Sequence, residues 1–340
     1  MEKYIRLLAI LLGVQVLLAA AVWVSGSNLS AKPDNTPLLA LKGKTVDRVT
    51  IDGPDKAKVT IAKTGNAWRL PEHDDFPANG DKIEQLLTRL KALKHGTPIA
   101  DSKGALERFK VSDRRFERRI TLAQGTDTLA TLYLGSAQGR ETHAREASEN
   151  AVHLVKLGTY DAPTKVEDWE DKTVLQIPKD DIVAVEVHGL RFERTRNAKP
   201  KKPKDSSKED KNKAAESAVP DWKVAGHVEG TLKPDAADKL ATKLAELRIG
   251  SVLGKREQPD YGLKAPALTL SVTQRNGQEL GYRLAEMTDK KEQYVLKVSS
   301  RAEYFRLPGY TAEPLIKAAK YDALVDHGGG AKPPAPVAKK

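Results

Sequence analysis

The chain has 340 residues, 39% hydrophobic and 30% charged, a composition that predicts about two cored domains with a soluble bulk. Its net charge is +11, which favours anionic partners over cationic ones. It has no cysteine, which excludes disulfides, thiolate metal sites, a catalytic thiol and a lipid-modified cysteine.

Residues 1–24 differ from the rest. Lys3 and Arg6 precede Leu7–Val24, a run with no charged residue. At 1.5 Å per residue that run is long enough to cross a bilayer as a helix, and Trp23 suits its interfacial end. Ala19-Ala20-Ala21 offers a small-residue cleavage pattern, but it lies inside the apolar run. The segment is therefore read as an uncleaved transmembrane signal-anchor, with a cleaved signal as the alternative. No Lys or Arg comes after it until Lys32, so the basic residues place the N-terminus in the cytoplasm. The bulk of the chain is then expected outside, in the periplasm of a bacterium with two membranes. Residues 25–45, rich in Ser, Asn and Pro, read as a stalk linker.

The remainder of the chain repeats one pattern. Residues 46–178 and 179–325 are expected to be two tandem copies of a mainly antiparallel sheet-plus-helix domain, so the fold class is α+β. Each copy opens on a strand of alternating β-branched residues, Val46–Ile51 in the first and Ile182–Val187 in the second. A second strand carries a tryptophan, Ala67-Trp68-Arg69-Leu70 against Asp221-Trp222-Lys223-Val224. A helix comes next. In the first copy Ile83, Leu86, Leu87, Leu90 and Leu93 form one apolar stripe, with Asp81 in the first turn. In the second, Asp238, Leu240, Leu244 and Leu247 stand at the corresponding places.

Beyond the helix, Phe109-Lys110-Val111 lies where Tyr261-Gly262-Leu263 lies. Four short strands close each copy: Arg119–Leu122, Leu132–Gly135, Thr142–Arg145 and Val152–Val155 in the first. Their partners in the second are Ala267–Leu270, Tyr282–Ala285, Tyr294–Val298 and Tyr304–Leu307. Residues 194–220 are lysine-rich and unable to bury enough apolar surface to order themselves. They read as an insertion between the first and second strands of the second copy. Residues 326–340 are a Gly/Pro/Lys tail expected to be disordered.

Motifs that carry chemistry are scarce. The seven histidines, His73, His95, His143, His153, His188, His227 and His327, never stand at i, i+4 around a glutamate. In Gly135-Ser136-Ala137-Gln138-Gly139 the serine stands one place too early for a nucleophile elbow. No phosphate-cradling or dinucleotide loop occurs. His73-Asp74-Asp75 is the best cation-ligating cluster, yet the second copy does not repeat its carboxylate pair, and a solvated loop is the expectation. Asp180-Asp181 is expected to be a turn, and Trp68 and Trp222 to be core residues. No catalytic, cofactor-binding or metal residue is therefore assigned, no cofactor is expected, and no enzyme activity is expected, a hydrolase with a site assembled from scattered residues such as His73 and Asp74 being the last of the alternatives. Arg108, Lys110, Arg114, Arg115, Arg118 and Arg119 form a basic run, diluted by Glu107, Asp113 and Glu117. Such a surface suits an anionic lipid or cell-envelope polymer. Nucleic acid is not expected, since no stacking aromatics are interleaved.

The order of Val46–Ile51, Trp68-Arg-Leu-Pro71, the helix with Leu86, Leu87 and Leu90, Trp169-Glu-Asp-Lys172 before Val174-Leu175, and Asp260-Tyr-Gly-Leu263 with Pro266 resembles the bacterial domain of unknown function 4340 family. The resemblance implies a single-span protein with tandem copies of this domain. Some relatives are encoded beside, or fused to, parts of ABC-type transporters, including the gliding-motility type. It implies an accessory protein of export or surface machinery in the inner membrane, with a transporter complex as partner. It carries no catalytic residue over. The chain departs from the pattern at Phe109-Lys110-Val111, where an aromatic-Gly-Leu turn is preferred, and in the lysine-rich insertion.

Overall fold

The computed structural model describes residues 36–194, 222–225, 230–233 and 235–326, with Leu12 and Gln15 alone from the N-terminal segment. Nearly all of the expected membrane span, the first part of the stalk, nearly all of the insertion and nearly all of the tail lie outside the described residues. Among the described residues no helix is long and apolar enough to cross a membrane. The chain divides into two compact units, 1–169 and 170–340. The fold is mainly antiparallel sheet with a few helices.

The first unit holds an eight-stranded sheet. Its members are β2 (Arg48–Asp52), β3 (Lys58–Thr64), β4 (Ala67–Leu70), β5 (Phe76–Pro77), β7 (Arg118–Gln124), β8 (Asp127–Gln138), β9 (Glu141–Glu146) and β10 (His153–Val155), and their order is β10-β9-β8-β7-β2-β3-β4-β5. Alternation decides its faces. Val49, Ile51, Val59, Ile61, Ile120, Leu122, Leu132 and Leu134 are buried on one side. The helix α1 (Gly80–Ala92) lays Ile83, Leu86, Leu87 and Leu90 into the same core. Asn79 caps it, its side-chain oxygen accepting from the Lys82 N–H at 3.0 Å. The Trp68 indole N–H donates to Glu84 on that helix at 3.0 Å, so strand and helix are joined by a polar bond as well as by packing.

Two expectations need correction here. The tryptophan strand is the third of the eight-stranded sheet, not the second, because Lys58–Thr64 forms a strand paired to both β2 and β4. The stalk stops short of residue 45. Thr36–Pro37 (β1) pairs with Lys94–His95 (β6), and Leu38, Leu39 and Leu41 are buried in the core. Three leucines in four positions bury too much apolar surface to stay in a solvated linker.

The second unit holds another eight-stranded sheet: β11 (Ile182–Val187), β12 (Leu190–Arg194), β13 (Trp222–Ala225), β15 (Ser251–Val252), β16 (Leu268–Gln274), β17 (Glu279–Glu286), β18 (Gln293–Val298) and β19 (Tyr304–Pro308). A two-stranded piece pairs β14 (Thr231–Leu232) with β20 (Val325–Asp326). The sheet order is β13-β12-β11-β16-β17-β18-β19-β15. Taken from the tryptophan strand, β4-β3-β2-β7-β8-β9-β10 and β13-β12-β11-β16-β17-β18-β19 run in the same sequence of neighbours. The helix α2 (Lys103–Arg108) belongs to the first unit; α3 (Ala236–Ala245), α4 (Gly309–Ala318) and α5 (Tyr321–Leu324) belong to the second. Leu240, Leu244, Ala312, Leu315 and Leu324 from these three are all buried. Within the sheet, burial pushes the Tyr282 hydroxyl up to about 12.

The insertion is also displaced from its expected place. β11 and β12 form a tight hairpin through His188 and Gly189, both with positive φ, so residues 195–221 fall between the second strand and the tryptophan strand. The division between units falls at Trp169/Glu170 rather than at 178/179. The segment after Trp169 is bonded into the second unit: Ile249 N–H donates to the Lys172 carbonyl at 3.1 Å, and the Lys172 ammonium to the Gly250 carbonyl at 2.7 Å.

Candidate functional site

On the face of the first sheet opposite its core, pairing sets five polar residues in one row across five strands: Lys58, Asp52, Arg119, Tyr133 and Arg145. The Arg119 Nε–H donates to Asp52 Oδ2 at 3.1 Å, and that bond holds the Arg119 pKa above its ordinary value. Arg145 is almost fully buried. Its guanidinium donates to the carbonyls of Val111, Ala147 and Glu149 at 2.7, 3.2 and 3.0 Å and to Asp113 Oδ1 at 2.5 Å. That last bond holds the Asp113 carboxyl below the usual range, while burial pushes the Tyr133 hydroxyl up.

This network fixes the loop between α2 and β7. Val111 bridges Phe116, the Ser112 N–H donates to the Arg115 carbonyl at 3.1 Å, and the Arg115 N–H donates to the Ser112 hydroxyl at 3.0 Å. The turn closed in this way leaves Arg114 and Arg115 exposed at its tip. A second turn, between β2 and β3, is closed by Gly53 N–H to Ala57 O at 2.7 Å and Ala57 N–H to Pro54 O at 3.0 Å. Asp55 and Lys56 in it both have left-handed backbones, at φ 56° and 60°, a costly conformation for non-glycine residues. Gly53 has no room for a Cβ, which would press on the Thr164 methyl.

Between the two turns lies an open cleft of about 600 Å³, lined by Asp52–Lys58, Arg114, Arg115, Phe116 and Arg119. Five of its lining residues are cationic and two, Asp52 and Asp55, are anionic. Arg119 is committed to Asp52, and Lys58 lies 3.7 Å from Glu72. Among the described residues, Lys56, Arg114 and Arg115 have no ion-pair partner. The cleft therefore carries a surplus of positive charge on two fixed walls, and it suits a polyanion.

One family is matched by this chain. The family model described as domain of unknown function (DUF4340) matches residues 68–266, more than half of the sequence. The chain belongs to the DUF4340 family. No curated protein and no solved structure matches it. The DUF4340 match takes in the Arg114–Phe116 wall and Arg119, while the Asp52–Lys58 wall precedes it.

Within this DUF4340 chain the structure distributes the sequence-predicted residues widely. The basic run does not act as one patch. Lys110 pairs with Glu117 at 2.5 Å, Arg118 donates to the Ala162 carbonyl at 2.8 Å, and Arg108 lies 4.6 Å from the Phe109 ring centre. Arg114, Arg115 and Arg119 alone of the run reach the cleft. Lys56, Lys58 and Asp52 carry no signal in the sequence, because only sheet pairing brings them opposite residues about sixty positions away.

His73-Asp74-Asp75 is a turn in which Asp74 and Asp75 have positive φ and Arg69 lies 3.8 Å from Asp75. No three His, Asp or Glu side chains converge on a point among the described residues. Asp180 and Asp181 are bound to Arg194 and Arg275, at 3.2 and 3.5 Å, in a short turn before β11. Ser136 lies on β8, and His143 Nδ1 sits 2.6 Å from the Ser136 carbonyl oxygen. That nitrogen must carry its proton to make the bond, so it cannot take one from the Ser136 hydroxyl. Trp68 is buried as expected, but Trp222 is only half-buried, on the edge strand β13, with Arg194 5.8 Å from its ring centre.

The family motif around Trp169 has a structural explanation. Trp169 is fully buried in the first core and donates its indole N–H to the Pro163 carbonyl at 2.9 Å. Glu170 is buried in the second unit, where Oε2 accepts from Lys172 at 2.7 Å and from the Val252 N–H at 3.2 Å.

Proposed function

We propose that this DUF4340 chain is a non-catalytic, membrane-anchored interaction protein of the bacterial envelope. In this reading it holds two tandem copies of one α+β domain in the periplasm and serves an ABC-type export or surface machinery. The observation that carries the reading is the shared neighbour order of the two sheets, since duplication of a domain enlarges binding surface without building an active site. The uncharged run Leu7–Val24 and the basic residues before it support the anchor. A tether of that kind raises the local concentration of the domains beside membrane partners.

The test is purification of the full chain from its own membranes in mild detergent, with intact-mass measurement of bait and partners. Recovery of residues 1–24 together with transporter permease or ATPase subunits is the expected result. A bait that has lost them and comes down alone sinks the proposal. A second reading, favoured by the basic cleft, is a module that binds an anionic lipid or envelope polymer. Its expected signature is salt-sensitive binding of the full chain to such ligands.

A further inference from the structure

We propose that the cleft between the Gly53–Lys58 turn and the Arg114–Phe116 turn binds phosphate groups of a soluble anionic polymer. The inference rests on the second reading above and gives it a place. Three observations lead to it. First, the cations of this region sort into two kinds. Lys110, Arg118 and Arg145 are committed to carboxylates or carbonyls, whereas Lys56, Arg114 and Arg115 face the cleft with no ion pair among the described residues. Arginine forks and a lysine on opposing walls suit a group whose oxygens point in several directions, as phosphate oxygens do.

Second, both walls are held in place before any ligand arrives. Each turn is closed by its own backbone bonds, and the arginine turn is further anchored through Asp113 to the buried Arg145. Little ordering is left to oppose binding.

Third, the shape favours a polymer over a bilayer. The cleft is open, about 600 Å³, room for a segment of an extended polymer lying along the surface. The large exposed hydrophobic residues of the described chain are Leu12, Ile99, Tyr160 and Tyr310, and none lines it; its one large apolar side chain, Phe116, is half-buried with the Arg119 guanidinium 5.3 Å from its ring centre, which is poor provision for entering lipid. Beside it the sheet presents a second row, Thr60, Thr50, Thr121 and Thr131, aligned across four strands and half-buried. Strand spacing sets these hydroxyls roughly 4.8 Å apart; Thr60 donates to Glu72 at 3.0 Å, and Thr50, Thr121 and Thr131 continue the row as hydrogen-bonding groups for further units of a bound chain.

The experiment uses the full chain in mild detergent and labelled inorganic polyphosphate as probe, at low and at physiological ionic strength. Salt-sensitive binding is expected, and the double variant Arg114→Ala/Arg115→Ala is expected to bind roughly tenfold more weakly. The charge-matched variant Lys239→Ala/Arg248→Ala, on exposed positions of the second unit, is expected to change binding less than about twofold. Neither pair has an ion-pair partner to lose among the described residues, so equal melting temperatures separate a binding defect from misfolding. Wild-type binding with no loss in the Arg114/Arg115 variant overturns the cleft and leaves the second reading standing. No wild-type binding to either polyphosphate or anionic lipid vesicles overturns that reading, and the cleft with it. Tighter binding to anionic lipid vesicles than to polyphosphate overturns the choice of polymer.

Discussion

Glu170 and Lys172 form an ion pair at 2.7 Å in which the carboxylate is wholly buried and the ammonium partly so. The same carboxylate accepts the Val252 N–H, and the same ammonium donates to the Gly250 carbonyl, so the pair ties the start of the second unit to its edge strand β15. A buried pair of this kind contributes little net stability against an apolar replacement, but removing the cation takes the opposite charge from a wholly buried carboxylate. Lys172→Met is therefore expected to cost about 3 kcal/mol, and Glu170→Gln less, because the amide oxygen still accepts. Denaturant titration of each variant gives the comparison, and equal losses would contradict the argument.

The two matched tryptophans should differ from each other. Trp169→Ala sets the scale: it removes a fully buried indole and its bond to Pro163, and is expected to cost about 3–5 kcal/mol. Trp68→Ala should resemble it, since Trp68 is buried and bonded to Glu84. Trp222→Ala removes a half-buried ring from an edge strand and is expected to cost about 1 kcal/mol. Thermal melts of the three variants would show whether this order holds.

Stability should fall below neutral pH through His153. Burial is the main cause that lowers its pKa, and the His95 ring 4.6 Å away lowers it further, while Glu149 and the Gly96 backbone oppose them. The folded chain thus prefers the neutral ring, and the unfolded chain binds the proton more readily. The contribution is fully present above about pH 6.5, the ordinary imidazole value, and is lost as pH falls from there toward the lower folded value. Unfolding free energy measured at pH 7.5 and 5.5 should drop less in His153→Gln than in the wild type. An identical drop would remove His153 as the source.

At the left-handed position after each aromatic residue, the two units should respond differently. Lys110 has φ 58° and Gly262 φ 67°. A Cβ on Gly262 would overlap the Glu286 carbonyl, whereas Lys110 already carries one. Gly262→Ala is expected to cost about 3 kcal/mol or more, and Lys110→Ala below about 1 kcal/mol, chiefly from the partly exposed Glu117 pair. Similar losses at both sites would refute the assignment.

Much of the fold is legible in the sequence because local pattern and tertiary burial agree there. The strand Ile182–Val187 and the strand Ala67–Leu70 have their expected bounds, and the stripe from Ile83 to Leu90 faces the core. The strand Lys58–Thr64 is not legible, because charged residues near both ends mask the alternation of Val59 and Ile61. Leu38, Leu39 and Leu41 are masked in turn by the prolines and serines around them. The cleft is legible in only one of its walls. The arginines of that wall stand close together in sequence, but the pairing of Asp52 with Arg119 and of Lys58 with Asp52 is a product of sheet register, which no local pattern announces.

Gly135 and Gly262 serve one kind of contact from its two sides. In the first sheet the strand residue Gly135 lies against the turn carbonyls of Phe109 and Lys110, with no space for a Cβ. In the second, the turn residue Gly262 lies against the strand, where a Cβ would overlap the Glu286 carbonyl. The two glycines thus make room for different backbone atoms: Gly135 for the Phe109 and Lys110 carbonyls of the turn, and Gly262 for the Glu286 carbonyl of the strand. Segment swaps between the units should show the same asymmetry. Grafting Tyr261–Leu263 into the first unit yields a tolerated double glycine, whereas grafting Phe109–Val111 into the second sets a lysine against an occupied strand.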